Sequence, residues 1–112
     1  MNDWSFQLYS ARNHPPLSNT LQLLAELGYT QVEGFGGLYD QAASLRQDLD
    51  SNGLTMPTGH FGLSQLEDLD QAMKTIETLG VQTVICPHLA ADQRPSDAAG
   101  WKQMAEKLNE VG

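Results

Sequence analysis

Four glycines limit most tightly what this chain can fold into. Gly28, Gly53, Gly80 and Gly112 lie 25, 27 and 32 residues apart, and each closes an amphipathic stretch. Glycine just past a periodic apolar run ends a helix, because it takes the left-handed conformation without steric cost. A short β-rich segment precedes each stretch, so the chain reads as four rounds of strand followed by helix. The segments LAELGYTQV and IETLGVQTV share one plan: apolar helix end, Leu-Gly, one apolar residue, then a strand. Parallel neighbours need a crossover of at least about a dozen residues, which this spacing supplies. The expected fold is α/β, with parallel (β/α) repeats in a single domain over residues 1–112 and no linker or low-complexity tract. A TIM (β/α)8 barrel has about 250 residues, so four βα units correspond to half of one. An open four-stranded sheet is the other arrangement, with an unpaired edge at each end.

Strands are predicted at 5–9, 30–35, 54–61 and 81–88. The first helix follows NHPPLSNT, with Ser18 or Asn19 as cap and Leu21, Leu24 and Leu27 as apolar stripe. Asp40 is the expected cap of the second helix, which ends at Gly53. A third helix is expected over 65–79, with Leu66, Leu69, Met73 and Ile76 on one face, and a fourth over 98–111. The rhythm predicts a fifth strand directly after Gly112.

Composition removes several function classes. Leu, Val, Ile and Phe recur throughout, and a chain of this size buries roughly two thirds of its unfolded surface, so disorder is excluded. Fourteen acidic and six scattered basic residues give a net charge of −8, which argues against nucleic acid and against an anionic membrane surface. No run of roughly 18 apolar residues occurs, and the N-terminal segment lacks a basic start. Cys86 is the single cysteine, so neither an intrachain disulfide nor an all-cysteine zinc site can form. A reducing, cytoplasmic setting is expected.

Chemistry in parallel α/β folds gathers at the carboxyl ends of the strands. That face is expected to carry Tyr9 and Ser10, then Glu33 with Phe35, Thr58 with His60, and Cys86 with His88, each pair sharing a face by the period of two. His60 and His88 end strands that would be neighbours. Imidazoles converging with a carboxylate such as Glu33 suit a divalent metal, while the same groups also suit a polar substrate pocket or plain hydrogen bonding to backbone. The Gly34–Gly37 run, GFGG, misses the dinucleotide fingerprint, since Tyr39 stands where the third glycine is needed, and a turn using glycine's freedom explains it better. Cys86 reads as a buried strand residue rather than a nucleophile. His14 is placed on the rim, and Trp4 and Trp101 are read as packing residues. Glu67, Asp68 and Asp70 complement a helix dipole.

Together FQLYSAR, LAELGYTQVEGFG, LDSNGLTMPTGHFGL, TLGVQTVICPHL and the closing KLNEVG resemble the sugar phosphate isomerase/epimerase group of xylose isomerase-like TIM barrels, related to the endonuclease IV fold. The likeness runs from Phe6 to Gly112 and corresponds to the N-terminal half of such a barrel. It implies a divalent metal, Mn, Mg, Zn or Co, in the full barrel and a proton shift on a sugar or sugar phosphate. The family's main metal ligands and acid/base glutamates come from strands five to eight, which lie outside this sequence. The resemblance therefore assigns Glu33, His60 and His88 to substrate binding first, with His60 and His88 as secondary metal ligands, and Tyr9 joins the substrate-binding set by its position after the first strand. By itself the chain is expected to be inactive and to need no metal. Two other readings compete: a half barrel that completes its sheet as a homo-oligomer, and a free-standing flavodoxin-like binding module.

Overall fold

A computed structural model describes residues 3–112 of the chain. Four strands, β1 (Ser5–Gln7), β2 (Gln31–Gly34), β3 (Thr55–His60) and β4 (Thr83–Ile85), form one sheet in the order β1-β2-β3-β4, with every pairing parallel. Five helices accompany them: α1 (Leu17–Glu26), α2 (Ala42–Ser51), α3 (Leu63–Glu67), α4 (Leu69–Leu79) and α5 (Ala98–Val111). The strand order never reverses. A flavodoxin-like sheet reverses at a switch point, so that reading is corrected, and the singly wound order is that of a half barrel.

The core lies between the sheet and its helices. Leu8, Leu21, Val32, Leu49, Met56, Phe61 and Leu79 are each less than 2% exposed. Burial of one such side chain favours folding by about 1.5–3 kcal/mol, so the apolar side of the sheet fixes which way each strand faces. Gly28, Gly53 and Gly80 all have positive φ, as their place after an apolar stripe requires.

Several local expectations are corrected. Helix α1 begins at Leu17 after Pro16, whose fixed φ suits a helix start, and neither Ser18 nor Asn19 caps it. Asp40 lies inside a 3-10 turn, Gly36–Gln41, and Gln41 precedes α2. The helix expected over 65–79 is two helices, broken where Asp68 leaves helical geometry at ψ 72°. After the break the buried face of α4 carries Ala72, Thr75 and Leu79, while Leu69 and Met73 are exposed. Trp4 and Trp101 are 66% and 49% exposed, so neither packs into this core. Asp97 caps α5 by accepting the Gly100 N–H at 2.7 Å.

Strand β3 carries one residue more than β2 across the same span. Gln31 pairs with Thr55 and Glu33 with Thr58, so two steps on β2 face three on β3. The bulge keeps Met56 and Gly59 on the buried side and turns Thr58 and His60 to the other.

Candidate functional site

Glu33 anchors the face of the sheet away from the core. Its register partners are Gln7 on β1 and Thr58 on β3, so the pleat alone brings three polar side chains into one row. Gln7 Nε2 donates to Glu33 Oε1 at 2.6 Å, and Thr58 Oγ1 donates to Oε2 at 2.6 Å. His60 Nε2 lies 3.0 Å from Oε1. Gln7 Nε2 also stands 3.5 Å from His60 Nδ1, while its Oε1 accepts the Tyr9 N–H at 3.0 Å. One carboxylate thus collects three donors, and the imidazole is steered by the carboxylate on one nitrogen and faces an amide on the other. Charge-assisted bonds of this kind are about twice as strong as neutral ones, and they hold the half-buried row in one geometry.

Above this row opens a cavity of about 420 Å3, whose lining includes Gln7, Tyr9, Phe35, His60, Gln65 and His88. Tyr9 and Phe35 meet edge to face, with ring centroids 5.3 Å apart. Gln65 ties two loops of the rim together: its Oε1 accepts the Gly62 N–H at 2.9 Å, and its Nε2 donates to the Gly36 carbonyl at 3.2 Å. A Cβ on Gly36 would sit 2.6 Å from Gln65 Oε1. None of the GFGG glycines has positive φ, so close approach explains this run and backbone freedom does not.

The sequence-derived candidates are brought to this cavity by different routes. Tyr9 lies in a 3-10 turn, Leu8–Ala11, because β1 stops at Gln7. Glu33 lies beneath the lining and holds His60. His88 lies beyond β4, on an exposed segment after Pro87, and reaches the same cavity. Cys86 does not share its direction: Thr83 and Ile85 pair with Thr58 and His60, and Cys86 packs against the core. Gln7, Gln65 and Arg12 escaped the sequence reading. Only Gln7 left a signal there, since it precedes Tyr9 by two in a predicted strand.

A divalent cation is implied by the family resemblance, and the described residues do not fit one on their own. No three His, Cys, Asp or Glu side chains converge among them, and Glu33 already accepts from three donors. A second cavity, about 430 Å3, lies by the starts of α1 and α2 and is lined by Asp40, Ser44 and Asp48, away from the polar row.

Four parallel βα units wound in one direction, with polar side chains and a cavity at the carboxyl end of the sheet, define a half (β/α)8 barrel. Solved structures with this fold are a sugar phosphate isomerase/epimerase from Parabacteroides distasonis (TM-score 0.77, 22% identity, 96% of this chain and 45% of that one), a family 2 AP endonuclease from Brucella melitensis (TM-score 0.72, 18% identity, 99% and 50%) and a D-psicose 3-epimerase (TM-score 0.57, 16% identity, 96% and 49%). The chain therefore has the fold of the xylose isomerase-like TIM barrels. It spans about half the length of each of these structures. No family model matches the sequence, and no curated protein does.

Proposed function

We propose that this chain is the N-terminal part of a divalent-metal-dependent sugar or sugar phosphate isomerase/epimerase-like barrel, to which it contributes the substrate pocket. One observation carries the reading: the row of Gln7, Glu33, Thr58 and His60 lies at the floor of a cavity with aromatic walls. A sugar has apolar C–H faces and hydroxyl edges. Tyr9 and Phe35 offer a surface to the former, and His60, His88 and Gln7 offer donors and acceptors to the latter. Glu33 holds His60 in place and, through Gln7, the start of the Tyr9 turn.

No proton-transfer step is assigned to these residues, and the metal and acid/base groups belong to other elements of the barrel. The chain alone is then inactive. The acidic surface favours a small-molecule partner over nucleic acid, and a cytoplasmic setting belongs to the same reading. No helix among the described residues is long and apolar enough to cross a membrane.

Calorimetric titration with aldoses, ketoses and their phosphates, with and without Mn2+, tests this. Binding is expected, weakened by about tenfold or more in Glu33→Gln, as for the loss of one charge-assisted bond. Absence of binding to every sugar and sugar phosphate would remove the pocket assignment, and turnover by the chain alone would remove the inactive one. Self-association is a second reading, favoured by β1 and β4 each having a neighbour on one side only. A monomer in sedimentation at micromolar concentration would exclude it.

A further inference from the structure

The lining of the site cavity departs from the acidic character of the chain. Fourteen acidic side chains give a net charge of −8, yet none of them lines this cavity. Cavities elsewhere do carry them: Asp40 and Asp48 in one, Asp40 and Asp68 in another, Asp92 in a third. Glu33, beneath the floor, has its two oxygens engaged by Gln7, Thr58 and His60 and contributes no atom to the lining. What remains is His60 and His88 in the lining and, in contact with the lining residue Tyr9, Arg12.

Arg12 is held in an unusual way for a surface cation. Its guanidinium lies 3.9 Å from the centroid of the Tyr9 ring, and Nη1 donates to the Tyr9 carbonyl at 2.9 Å. The stack occupies the face of the guanidinium and one of its five N–H groups, leaving the others along its edge. Arg46 and Lys107 are paired with Asp50 and Glu67, whereas Arg12, like Lys74, Arg94 and Lys102, has no ion pair among the described residues, and of these four it alone is stacked on an aromatic ring that lines the cavity. An arginine fixed on its face and open along its edge can meet two oxygens of one anion at once, and its ordering entropy has already been spent on Tyr9.

We propose that Arg12 is the anchor for the phosphate of a phosphorylated sugar, whose carbon chain lies in the cavity against Tyr9, Phe35, His60 and His88. This rests on the sugar-pocket reading and adds to it a choice between phosphorylated and free substrates. A phosphate dianion meets no carboxylate along the cavity lining, and the edge of Arg12 supplies paired donors. A free sugar has no group that uses them.

The test is titration of the protein with fructose and fructose 6-phosphate, ribulose and ribulose 5-phosphate, and inorganic phosphate, with the Arg12 Nε–H followed by NMR. Each phosphorylated sugar is expected to bind at least about tenfold more tightly than its free partner, as one charge-assisted bond supplies, with the margin shrinking as salt is raised. Arg12→Met removes the margin, so that each phosphorylated sugar then binds no more tightly than its free partner in the same variant. Arg12→Lys keeps part of the margin, since the charge remains without the fork. Lys74→Met, on the exposed side of α4, leaves the margin unchanged. Equal affinity within each pair, or a margin that survives in Arg12→Met, overturns the phosphate anchor and leaves the sugar pocket standing. Inorganic phosphate shifting Arg12 while no sugar binds keeps the anion site and overturns the sugar pocket. No binding by any probe overturns both.

Discussion

Gly59→Ala measures how tightly the sheet packs on Tyr39. A Cβ at position 59 would sit 2.7 Å from Tyr39 Oη and 3.3 Å from Phe61 Cε1. The tyrosine ring cannot swing clear, because it stacks on Phe61 with centroids 4.3 Å apart and is only 6% exposed. Its hydroxyl is buried without a hydrogen-bond partner. Forcing a methyl group into such a contact costs about 1–3 kcal/mol, from which the lower backbone entropy of alanine in a strand recovers roughly 0.5–1 kcal/mol. The net expectation is a loss of about 1–2 kcal/mol. Tyr39→Phe removes the oxygen and with it the unsatisfied group, so it should be neutral or stabilising by up to about 1 kcal/mol. In that background the contact nearest to Cβ becomes Phe61 at 3.3 Å, and Gly59→Ala should cost under about 1 kcal/mol. Urea unfolding of the four proteins, followed by far-ultraviolet circular dichroism with a shared m-value, gives the cycle. Equal costs in both backgrounds would refute the clash. A Tyr39→Phe variant less stable by more than about 1 kcal/mol would show that the hydroxyl has a partner.

Three further outcomes follow from the same contacts. Burial, and then the charge of Glu33, raise the Tyr39 hydroxyl pKa well above its ordinary value. The folded chain keeps that proton where the unfolded chain releases it, so the stability contribution is complete below about pH 10 and is lost as pH rises above it. Tyr39→Phe should flatten this alkaline decline, and an identical decline in both proteins would contradict it. Gln7→Met takes a 2.6 Å donor from Glu33 and the acceptor from the Tyr9 N–H, and at this half-buried site it should cost about 1–2 kcal/mol in urea unfolding; no loss would mean that water replaces both bonds freely. Asp97→Ala removes the cap of α5 and should cost about 1 kcal/mol together with some helical signal, whereas unchanged ellipticity would argue against the cap.

The βα rhythm and the glycine stops were legible because each depends on local properties, apolar periodicity and tolerance of positive φ. Glu33, Thr58 and His60 were legible as a common face for the same reason. The ends of the strands were not, since they are set by partners. The Gln7 side chain captures the Tyr9 N–H and so favours the turn over continuing β1, and the last rung to β4, from Phe61 N to Ile85 O, is soon followed by Pro87, which has no N–H to offer. Counting by two back from His88 therefore misplaced Cys86, because His88 lies outside the strand whose phase it was used to set. Arg12 and Gln65 gave no signal. Their importance comes from the backbone carbonyls and loops they hold, and these come together only in three dimensions.

The extra residue in β3 has a consequence for how a sequence of this kind can change in length. The buried Met56 and Gly59 are separated by Pro57 and Thr58, where an unbulged strand would have a single residue. Losing Pro57 would restore plain alternation and leave Met56, Thr58, Gly59 and His60 on their present sides. Strand β2 has no such slack, and losing Val32 would rotate one end of it against the other and separate Glu33 from Thr58 or from its place in the sheet. Deletions should therefore be tolerated very unevenly in two strands that lie side by side: β3 carries a spare residue, while β2 is a fixed count on which the whole polar row depends.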